Sequence, residues 1–440
     1  MKLRTTLPFL TATAGASAIA WLALAEIPAP GGPPAGTTIQ HVILITVDGL
    51  RGDLLKNLMD GPTGAATYPN FNRLRSDGAS TFEARCDFDY SETLPNHVSV
   101  VTGRPVLQPA GAPNTVHHGF TANFPSAGQT FHTSGNLNIP YKASIFDVVH
   151  DNGLSTALFY SKDRISFVDI SYNSTTGAPD VTGTDNGPDK IDFASVGVTG
   201  TTAGTTAMSH LLTHLATNPL PGFTLLHFVD PDKSGHASGW DNATWNTSVA
   251  ASDTALGQLF AWLDAHPVEK ATTSIVLTAD HGGAGSSHNN ATQQVNYTIP
   301  FFLWGQCFKP GTSAYSYFIN RASPGAARPA QADSTLQPLR NADCANLSTA
   351  LLGLGTVPGS WFQPAFMDPE AQKQLLKAAP EGSGIRVSWP VAAAAYRLES
   401  ATDINGAWTP VTAGITTQGA SLTYLNQEPG GRRFFRLRRD

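Results

Sequence analysis

The stretch Ile275–His288, IVLTADHGGAGSSH, decides how the fold of this chain is interpreted. Its first four residues are apolar or β-branched and predict a short buried strand that ends at Asp280 and His281. A carboxylate and an imidazole then stand side by side where a strand ends, which is where open α/β sheets place their ligand sites. His288 follows closely, and one Asp with two His suits zinc better than calcium or magnesium. The alternative is a strand followed by a solvated turn whose Asp caps the next element.

Other buried strands end in the same kind of residues. The run HVILITVDGL (41–50) ends in Asp48, and FTLLHFV (223–229) leads into DPDKSGH, which contains Asp232 and His236. Helical spacing over 69–78, 145–150, 205–216 and 246–263 separates these strands. The alternation predicts an α/β fold, with a largely parallel central sheet and helices on both faces.

The segment YSETLPNHVSVVTG (90–103) predicts a helix start beside the same strand ends. Pro95 fits the first turn, which places Thr93 just before the helix N-terminus. Free backbone N–H groups there stabilise a phosphoryl oxyanion, so the Thr93 hydroxyl is a candidate nucleophile; the alternative is an ordinary N-cap. Lys162, after the predicted strand 156–160, could contact a substrate, but we expect it to cap a solvated strand end.

Six of these strand-end residues offer the oxygen and nitrogen ligands that zinc takes, which is enough for two sites of three ligands each. Two neighbouring zinc ions lower the pKa of a bound hydroxyl and neutralise a transferring phosphoryl group. Thr93 Oγ would then lie next to one metal. The candidate ligands are Asp48, Asp232, His236, Asp280, His281 and His288.

Taken together, the motifs VDG at Asp48, TLPNH at 93–97, DPDKSGH at 230–236 and ADHGG at 279–283 resemble the alkaline phosphatase superfamily. The closest resemblance is to its type I phosphodiesterase/nucleotide pyrophosphatase branch, over 38 to about 354. It implies an alkaline-phosphatase-like fold and a covalent phospho-threonine at Thr93. Asn96 matches the Asn that hydrogen-bonds a phosphate oxygen in that family.

The resemblance also implies how the ligands are shared between two Zn²⁺ ions. One ion would take Asp48, Thr93, Asp280 and His281, and the other Asp232, His236 and His288. The chain departs from the family in its last ligand, which in the nucleotide pyrophosphatases lies far downstream of the Asp-His pair; here only His288 is available. Cys86 does not occupy the nucleophile position of the sulfatase branch, so a Thr nucleophile favours phosphoryl or phosphonate chemistry.

The chain ends frame this domain. MKLRTTLPFLTATAGASAIAWLALA (1–25) predicts a signal peptide and therefore export, with an uncleaved anchor as the alternative, and 26–37 is a Pro/Gly linker. We expect a catalytic domain over 38–378 and a small β-sandwich-like module over 384–440, which weakly resembles fibronectin-type-III-like domains. The basic end RRFFRLRRD of the module predicts an edge strand with solvated arginines rather than an anion-binding patch.

Composition and cysteines limit the partners. A net charge of -6 over 440 residues gives no electrostatic footprint for duplex nucleic acid, and no later stretch could span a membrane after signal cleavage. Cys307 and Cys344 could form a disulfide, leaving Cys86 free.

Three functions fit these observations. The first is an exported two-zinc hydrolase that cleaves phosphodiester or pyrophosphate-type bonds in a small phosphorylated substrate. The second is a phosphomonoesterase or phosphonate hydrolase with the same centre. The third is a binding protein whose metal centre is structural.

Overall fold

The computed structural model describes residues 10–12, 38–180, 183–195, 200–332, 336–372, 374–427 and 433–439. The predicted signal peptide and linker lie outside the described residues, except for a three-residue strand, β1 (Leu10–Ala12). None of the helices in the described ranges is long and apolar enough to cross a membrane.

The centre of the fold is an eight-stranded sheet that is mostly parallel, as the sequence predicts. Its strands, in spatial order, are β5 (Phe193–Ala194), β4 (Thr156–Phe159), β6 (Phe223–Phe228), β2 (His41–Val47), β7 (Thr273–Thr278), β8 (Thr298–Trp304), β3 (Ala79–Arg85) and β9 (Thr312–Ser313). The first five strands are parallel to one another, and β8 runs antiparallel to both β7 and β3. The α/β fold class is therefore confirmed.

Two groups of helices pack around this sheet. The helices are α1 (Gly52–Asp60), α2 (Gly64–Thr67), α3 (Pro69–Asp77), α4 (Thr93–Thr102), α5 (Ile145–Asp151), α6 (Ser166–Tyr172), α7 (Gly204–Leu215), α8 (Asp230–Ser238), α9 (Ala243–Ala265), α10 (Pro267–Thr272), α11 (Gln294–Tyr297), α12 (Cys344–Leu351) and α13 (Pro369–Gln372). Helix α9 contacts α3, α7, α8 and α10, while α12 contacts α4 and α5. Three 3-10 turns complete them: η1 (Asp163–Ile165), η2 (Ala314–Tyr317) and η3 (Asn341–Asp343).

The central strands form where the sequence has continuous apolar or β-branched runs. Every residue of β6 and of β7 is buried, as is all of β2 apart from its first residue. A strand covered on both faces needs apolar side chains at every position rather than at alternate ones. Because β2 lies between β6 and β7 and is parallel to both, the carboxyl ends of the three strands meet at one edge.

The C-terminal part is a separate all-β module of two antiparallel sheets. One sheet orders β10 (Lys377–Glu381), β11 (Gly384–Pro390), β15 (Ser421–Asn426) and β14 (Ile415–Gln418). The other orders β1, β16 (Arg433–Arg439), β12 (Tyr396–Ala401) and β13 (Thr409–Pro410). The expected small β module is confirmed, and its first sheet includes β10, which precedes the predicted start at 384.

The last strand was predicted to be an edge strand with solvated arginines. The edge position is wrong in the structure, and the arginines are solvated only in part, since Arg438 is exposed whereas Arg436 and Arg439 are partly buried. Strand β16 lies between β1 and β12. Arg436 donates to Glu399, a buried carboxylate, at 2.7 Å. Arg439 donates to the carbonyl oxygens of Phe318 (2.8 Å) and Arg321 (3.0 Å), which lie outside the module, in the segment after β9.

The cysteines do not pair. Cys86, Cys307 and Cys344 are all free and buried, so the possible Cys307–Cys344 disulfide is a wrong prediction. Burial in apolar surroundings raises the pKa of the Cys307 thiol to about 11. Each cysteine therefore serves as a small core residue.

Candidate active site

Polar residues at the ends of β2, β6 and β7 meet in one buried cluster. Asp48 follows β2, Asp232 lies in the first turn of α8, and Asp280 and His281 follow β7. Gly49 makes the turn possible: its φ is +68°, and its N–H donates to Asp280 Oδ1 at 3.1 Å. The three strand ends that the sequence singled out are thus brought together by the parallel sheet.

One group of ligand atoms surrounds the Thr93 hydroxyl. His281 Nε2 lies 3.4 Å from Asp48 Oδ1 and 3.4 Å from Asp280 Oδ2. Thr93 Oγ1 lies 3.5 Å from the same Asp48 oxygen and 3.4 Å from His281 Nε2. All four residues are fully buried. Asp48, Asp280 and His281 form a group that could hold a metal ion.

A second group lies on the side of α8. His236 Nε2 is 3.3 Å from Asp232 Oδ1 and 3.1 Å from His288 Nε2. His288 Nε2 is 3.6 Å from the same Asp232 oxygen. Asp232 and His236 are one helical turn apart, which points both side chains to one side. His281 also comes within reach of Asp232 and His288, so that its ring lies between the two groups.

The hydrogen bonds of the imidazoles fix which nitrogen carries the proton. His236 Nδ1 donates to Ser286 O at 3.0 Å, His281 Nδ1 to Gly282 O at 2.8 Å, and His288 Nδ1 to Ser91 O at 2.5 Å. In each ring the Nε2 lone pair therefore faces the cluster. A metal-ligating His typically donates its other N–H to a backbone carbonyl in this way.

Without a cation, several buried polar atoms of the cluster lack a hydrogen-bond partner. The Nε2 lone pairs of His236 and His288 face each other at 3.1 Å, and no proton lies between them in these tautomers. Asp232 Oδ1 and Asp280 Oδ2 are buried and lack a hydrogen-bond partner. Buried polar atoms without partners destabilise a fold, whereas a divalent cation would satisfy all of them. The residues present therefore fit bound metal.

Burial and neighbouring charges set the protonation of the carboxylates. Burial opposes ionisation of Asp48, but the Lys162 ammonium and the imidazoles of His227 and His281 hold its pKa well below the usual value. For Asp232, burial and the Asp48 charge are likewise outweighed, chiefly by His236 and Lys162, and the pKa falls to about 2. Burial and the Asp48 charge raise the pKa of Asp280 well above normal.

Thr93 is the first residue of α4, one position inside the helix rather than just before it. The preceding residue, Glu92, has extended backbone and makes no side-chain cap. His97 holds the first turn in place because its Nδ1 donates to Thr93 O at 2.8 Å. The hydroxyl of Thr93 thus sits at the positive end of the helix and faces the carboxylates.

Lys162 was expected to cap a solvated strand end, and this is wrong. Its side chain is buried, and Nζ lies 2.7 Å from Asp48 Oδ2, 2.8 Å from Asp232 Oδ2 and 3.1 Å from Thr93 Oγ1. The ammonium joins the two ligand groups. Its position at the end of β4 was the signal in the sequence, because β6, the neighbour of β4, also ends at the cluster.

The structure does not bring Asn96 into the cluster. Its carboxamide oxygen accepts from Asp87 N–H and Asn341 Nδ2, both at 2.9 Å, and its nitrogen donates to the carbonyls of Tyr90 (2.9 Å) and Glu92 (3.0 Å). These four bonds use the full capacity of the side chain.

Two residues near the cluster were missed by the sequence reasoning. Asn123 Oδ1 accepts the Leu94 N–H at 3.0 Å, directly after Thr93. His227, on β6, is buried and places Nε2 3.4 Å from Asp48 Oδ2. Asn123 lies in a long segment without regular structure, so its sequence carries no signal for this position.

The chain is similar to known proteins in sequence and in fold. The family model described as type I phosphodiesterase / nucleotide pyrophosphatase matches residues 42–362. No curated protein matches the sequence. Among solved structures, mouse ectonucleotide pyrophosphatase/phosphodiesterase 5 is 14% identical with a TM-score of 0.47, covering 72% of this chain and 96% of its own. An alkaline phosphatase superfamily protein from Vibrio parahaemolyticus is 15% identical with the same TM-score, covering 81% and 76%.

Proposed function

Because this chain belongs to the type I phosphodiesterase/nucleotide pyrophosphatase family, we propose that it hydrolyses phosphodiester or pyrophosphate-type bonds by attack of the Thr93 hydroxyl. The observation that carries the proposal is the surroundings of Thr93 Oγ1. It lies 3.1 Å from the Lys162 ammonium and within 3.5 Å of Asp48 and His281. An alcohol becomes a nucleophile when positive charge stabilises its alkoxide.

We assign two zinc ions to the two ligand groups. One would be held by Asp48, Thr93, Asp280 and His281, and the other by Asp232, His236 and His288. Oxygen and imidazole ligands in sets of three or four are the zinc pattern. When bound, zinc supplies Lewis-acid stabilisation of the negative charge that develops on the phosphoryl oxygens.

The side chains of the protein supply the rest of the chemistry. Thr93 Oγ1, as the alkoxide, forms a bond to phosphorus while the bond to the leaving oxygen breaks, which gives a phospho-threonine that still carries the second ester group of a diester substrate. Water then cleaves the phospho-threonine bond and restores the hydroxyl. Lys162 Nζ, as a donor to Thr93 Oγ1, lowers the free energy of the alkoxide in both steps.

Asn123 is the better candidate than Asn96 for contacting a phosphate oxygen. The Asn96 side chain has no free donor, whereas Asn123 uses its oxygen on Leu94 N–H, beside the nucleophile. Asn123→Ala should therefore lower kcat/KM by about 10- to 100-fold, the loss expected for a hydrogen bond to a charged group. Asn96→Ala should act on thermal stability instead.

The same centre in a phosphomonoesterase or phosphonate hydrolase is the second candidate. Lys162 favours it, because a buried ammonium at the cluster matches the extra negative charge of a monoester. We propose that the substrate in either case is a small phosphorylated molecule and, on the basis of the predicted signal peptide, that the enzyme is exported.

Thr93→Ala and Thr93→Ser test the proposal. On bis(p-nitrophenyl) phosphate, the Ala variant should lose about 10⁴-fold or more in kcat, and the Ser variant should keep part of the activity. Thr102→Ala is the matched control, since Thr102 is a buried threonine at the other end of α4. Acid quenching of the wild type during turnover of this diester, followed by mass spectrometry, should find a p-nitrophenyl phosphoryl group on Thr93.

Full activity of Thr93→Ala would contradict the nucleophile assignment. A protein that hydrolyses neither this diester nor p-nitrophenyl phosphate, even with zinc added, would instead favour the binding-protein alternative. A preference for the monoester would move the conclusion to the second candidate.

A further inference from the structure

Next to the first turn of α4, an arginine stacks on an exposed phenyl ring. The guanidinium carbon of Arg164 lies 3.9 Å from the centroid of Phe124, and Phe124 is 64% exposed. Phe124 directly follows Asn123, which holds the Leu94 N–H at 3.0 Å. The stack therefore lies on the solvent side of the Thr93 region.

The position of Arg164 along the chain also puts it near Thr93. It is the middle residue of η1, which packs against α4 and begins one residue after Lys162. The charge of Arg164 acts on Glu92, the residue that precedes α4: burial raises the pKa of the Glu92 carboxyl, and Arg164 opposes that rise. Arg164 thus lies beside the N-terminal end of α4, two residues from an ammonium that contacts Thr93.

The guanidinium has no partner of opposite charge. Within the described residues, Arg164 makes no hydrogen bond and no ion pair through its side chain, and its Nε atom is buried without an acceptor. Stacking uses only the face of a guanidinium and leaves the five N–H donors on its edges unpaired.

Arg73 shows what a partnered arginine of this kind looks like here. It also stacks on a phenyl ring, with its guanidinium carbon 4.2 Å from the centroid of Phe260. Its two terminal nitrogens, however, donate to the two oxygens of Asp264 at 2.8 and 2.7 Å. The stack alone therefore does not explain why the donors of Arg164 are left free.

We propose that Arg164 determines substrate specificity by binding a second anionic group, a carboxylate or phosphate, carried by the substrate beside the reacting phosphoryl group. The planar fork offers such an oxyanion two parallel hydrogen bonds, and Phe124 keeps the fork in one orientation. This inference rests on the proposed hydrolase function and adds the class of substrate: phosphoryl compounds with a further oxyanion.

Matched esters separate this role from general catalysis. The zinc-loaded enzyme is assayed on p-nitrophenyl methylphosphonate, p-nitrophenyl carboxymethylphosphonate and p-nitrophenyl phosphonomethylphosphonate, which share the leaving group and the reacting phosphorus. Arg164→Ala should lower kcat/KM by about 10- to 100-fold on an ester with the extra anion that the site prefers, and by less than about threefold on the methyl ester. The carboxylate and phosphonate arms tell which oxyanion fits.

Two further variants sharpen the assay. Arg164→Lys keeps the charge but loses the fork, so its selectivity should fall between those of the wild type and Arg164→Ala. Arg73→Ala removes the other stacked arginine and should leave selectivity unchanged. An Arg164→Ala enzyme that slows on all three esters equally, or keeps the wild-type selectivity, would overturn the proposal.

A binding measurement makes the result independent of turnover. Calorimetric titration of Thr93→Ala and of Thr93→Ala/Arg164→Ala with each of the two charged esters should show a 10- to 100-fold weaker Kd in the double variant for at least one of them. Equal Kd values would refute the role of Arg164. If the wild type cleaves none of the esters, the hydrolase proposal fails, and this titration still decides the assignment of Arg164.

Discussion

Replacing His288 with alanine should remove one metal ion while the other stays bound. The second ligand group has only three side chains, and His288 Nε2 lies 3.1 Å from His236 Nε2 and 3.6 Å from Asp232 Oδ1. Without it, two ligands remain, one of them the half-exposed His236. Catalytic zinc sites generally need three protein ligands.

The expected loss of zinc affinity can be bounded from the effect of smaller changes at metal sites. Removing an outer-shell hydrogen-bond partner of a ligand lowers metal affinity by about 10- to 100-fold. Loss of a ligand itself should cost more than that, so we expect at least about a 100-fold weaker zinc affinity at this site. The first group keeps Asp48, Asp280 and His281, so its ion should remain.

Zinc content and affinity provide the assay. Protein dialysed against buffered zinc should contain two zinc ions per wild-type chain and one per His288→Ala chain, as measured by mass spectrometry of the metal. Competition with a chromophoric chelator then gives both dissociation constants. His266→Ala is the control, because His266 directly follows α9, before β7 begins, and its side chain bonds to Trp262 O.

The result that would refute the reasoning is two tightly bound ions in His288→Ala. The second ion would then have its third ligand elsewhere, as in family members with a distant downstream His. Loss of both ions from a folded variant would refute the division into two groups, since His281 would then depend on His288.

Two further predictions concern stability. Burial lowers the pKa of His132 to about 4, so the free energy of unfolding that the neutral imidazole contributes above pH 6.5 is lost as the pH falls towards 4, by at most about 3 kcal/mol. In His132→Phe, the midpoint of urea unfolding should therefore change less between pH 7.5 and 4.5 than in the wild type. An unchanged slope of midpoint against pH would contradict this. Gly49→Ala places a Cβ 2.8 Å from Asp232 Cα at φ +68°, whereas Gly111 has φ +75° and open space. Gly49→Ala should therefore lower thermal stability and zinc content more than Gly111→Ala, by roughly 1–3 kcal/mol in unfolding free energy for strain plus the clash; equal effects would rule out the close approach.

The central strands could be predicted because burial on both faces demands continuous apolar runs. The predicted 41–50 and 223–229 contain β2 and β6 almost entirely. Helix α8 was missed, since DPDKSGHAS has no apolar periodicity to reveal a helix. The only local sign was Pro231 in its first turn, which is a common helix start.

The ligand positions could be predicted from strand ends, but side-chain directions could not. In the sequence, Lys162 and Asn96 both lie close to element ends that are predicted to meet at the cluster. Lys162 turns inward because two carboxylates lie within 2.8 Å of its ammonium. Asn96 turns away because the backbone at 87–92 and the side chain of Asn341 together satisfy all of its hydrogen bonds. Both outcomes depend on groups that are distant in sequence or on local turns, which motif spacing does not encode.

Charge connects the ligand cluster to the choice of substrate. Asp48, Asp232 and Asp280 with the Lys162 ammonium carry a formal charge of −2 when all are ionised, and all four residues are buried. The raised pKa of Asp280 relieves part of this repulsion in the metal-free protein. Two divalent ions would reverse the sign to +2, and Arg164 adds a further positive charge beside the N-terminal end of α4. A cluster of this kind repels anions when empty and attracts them when loaded, so substrate affinity should rise steeply with metal occupancy, most of all for a substrate with two anionic groups.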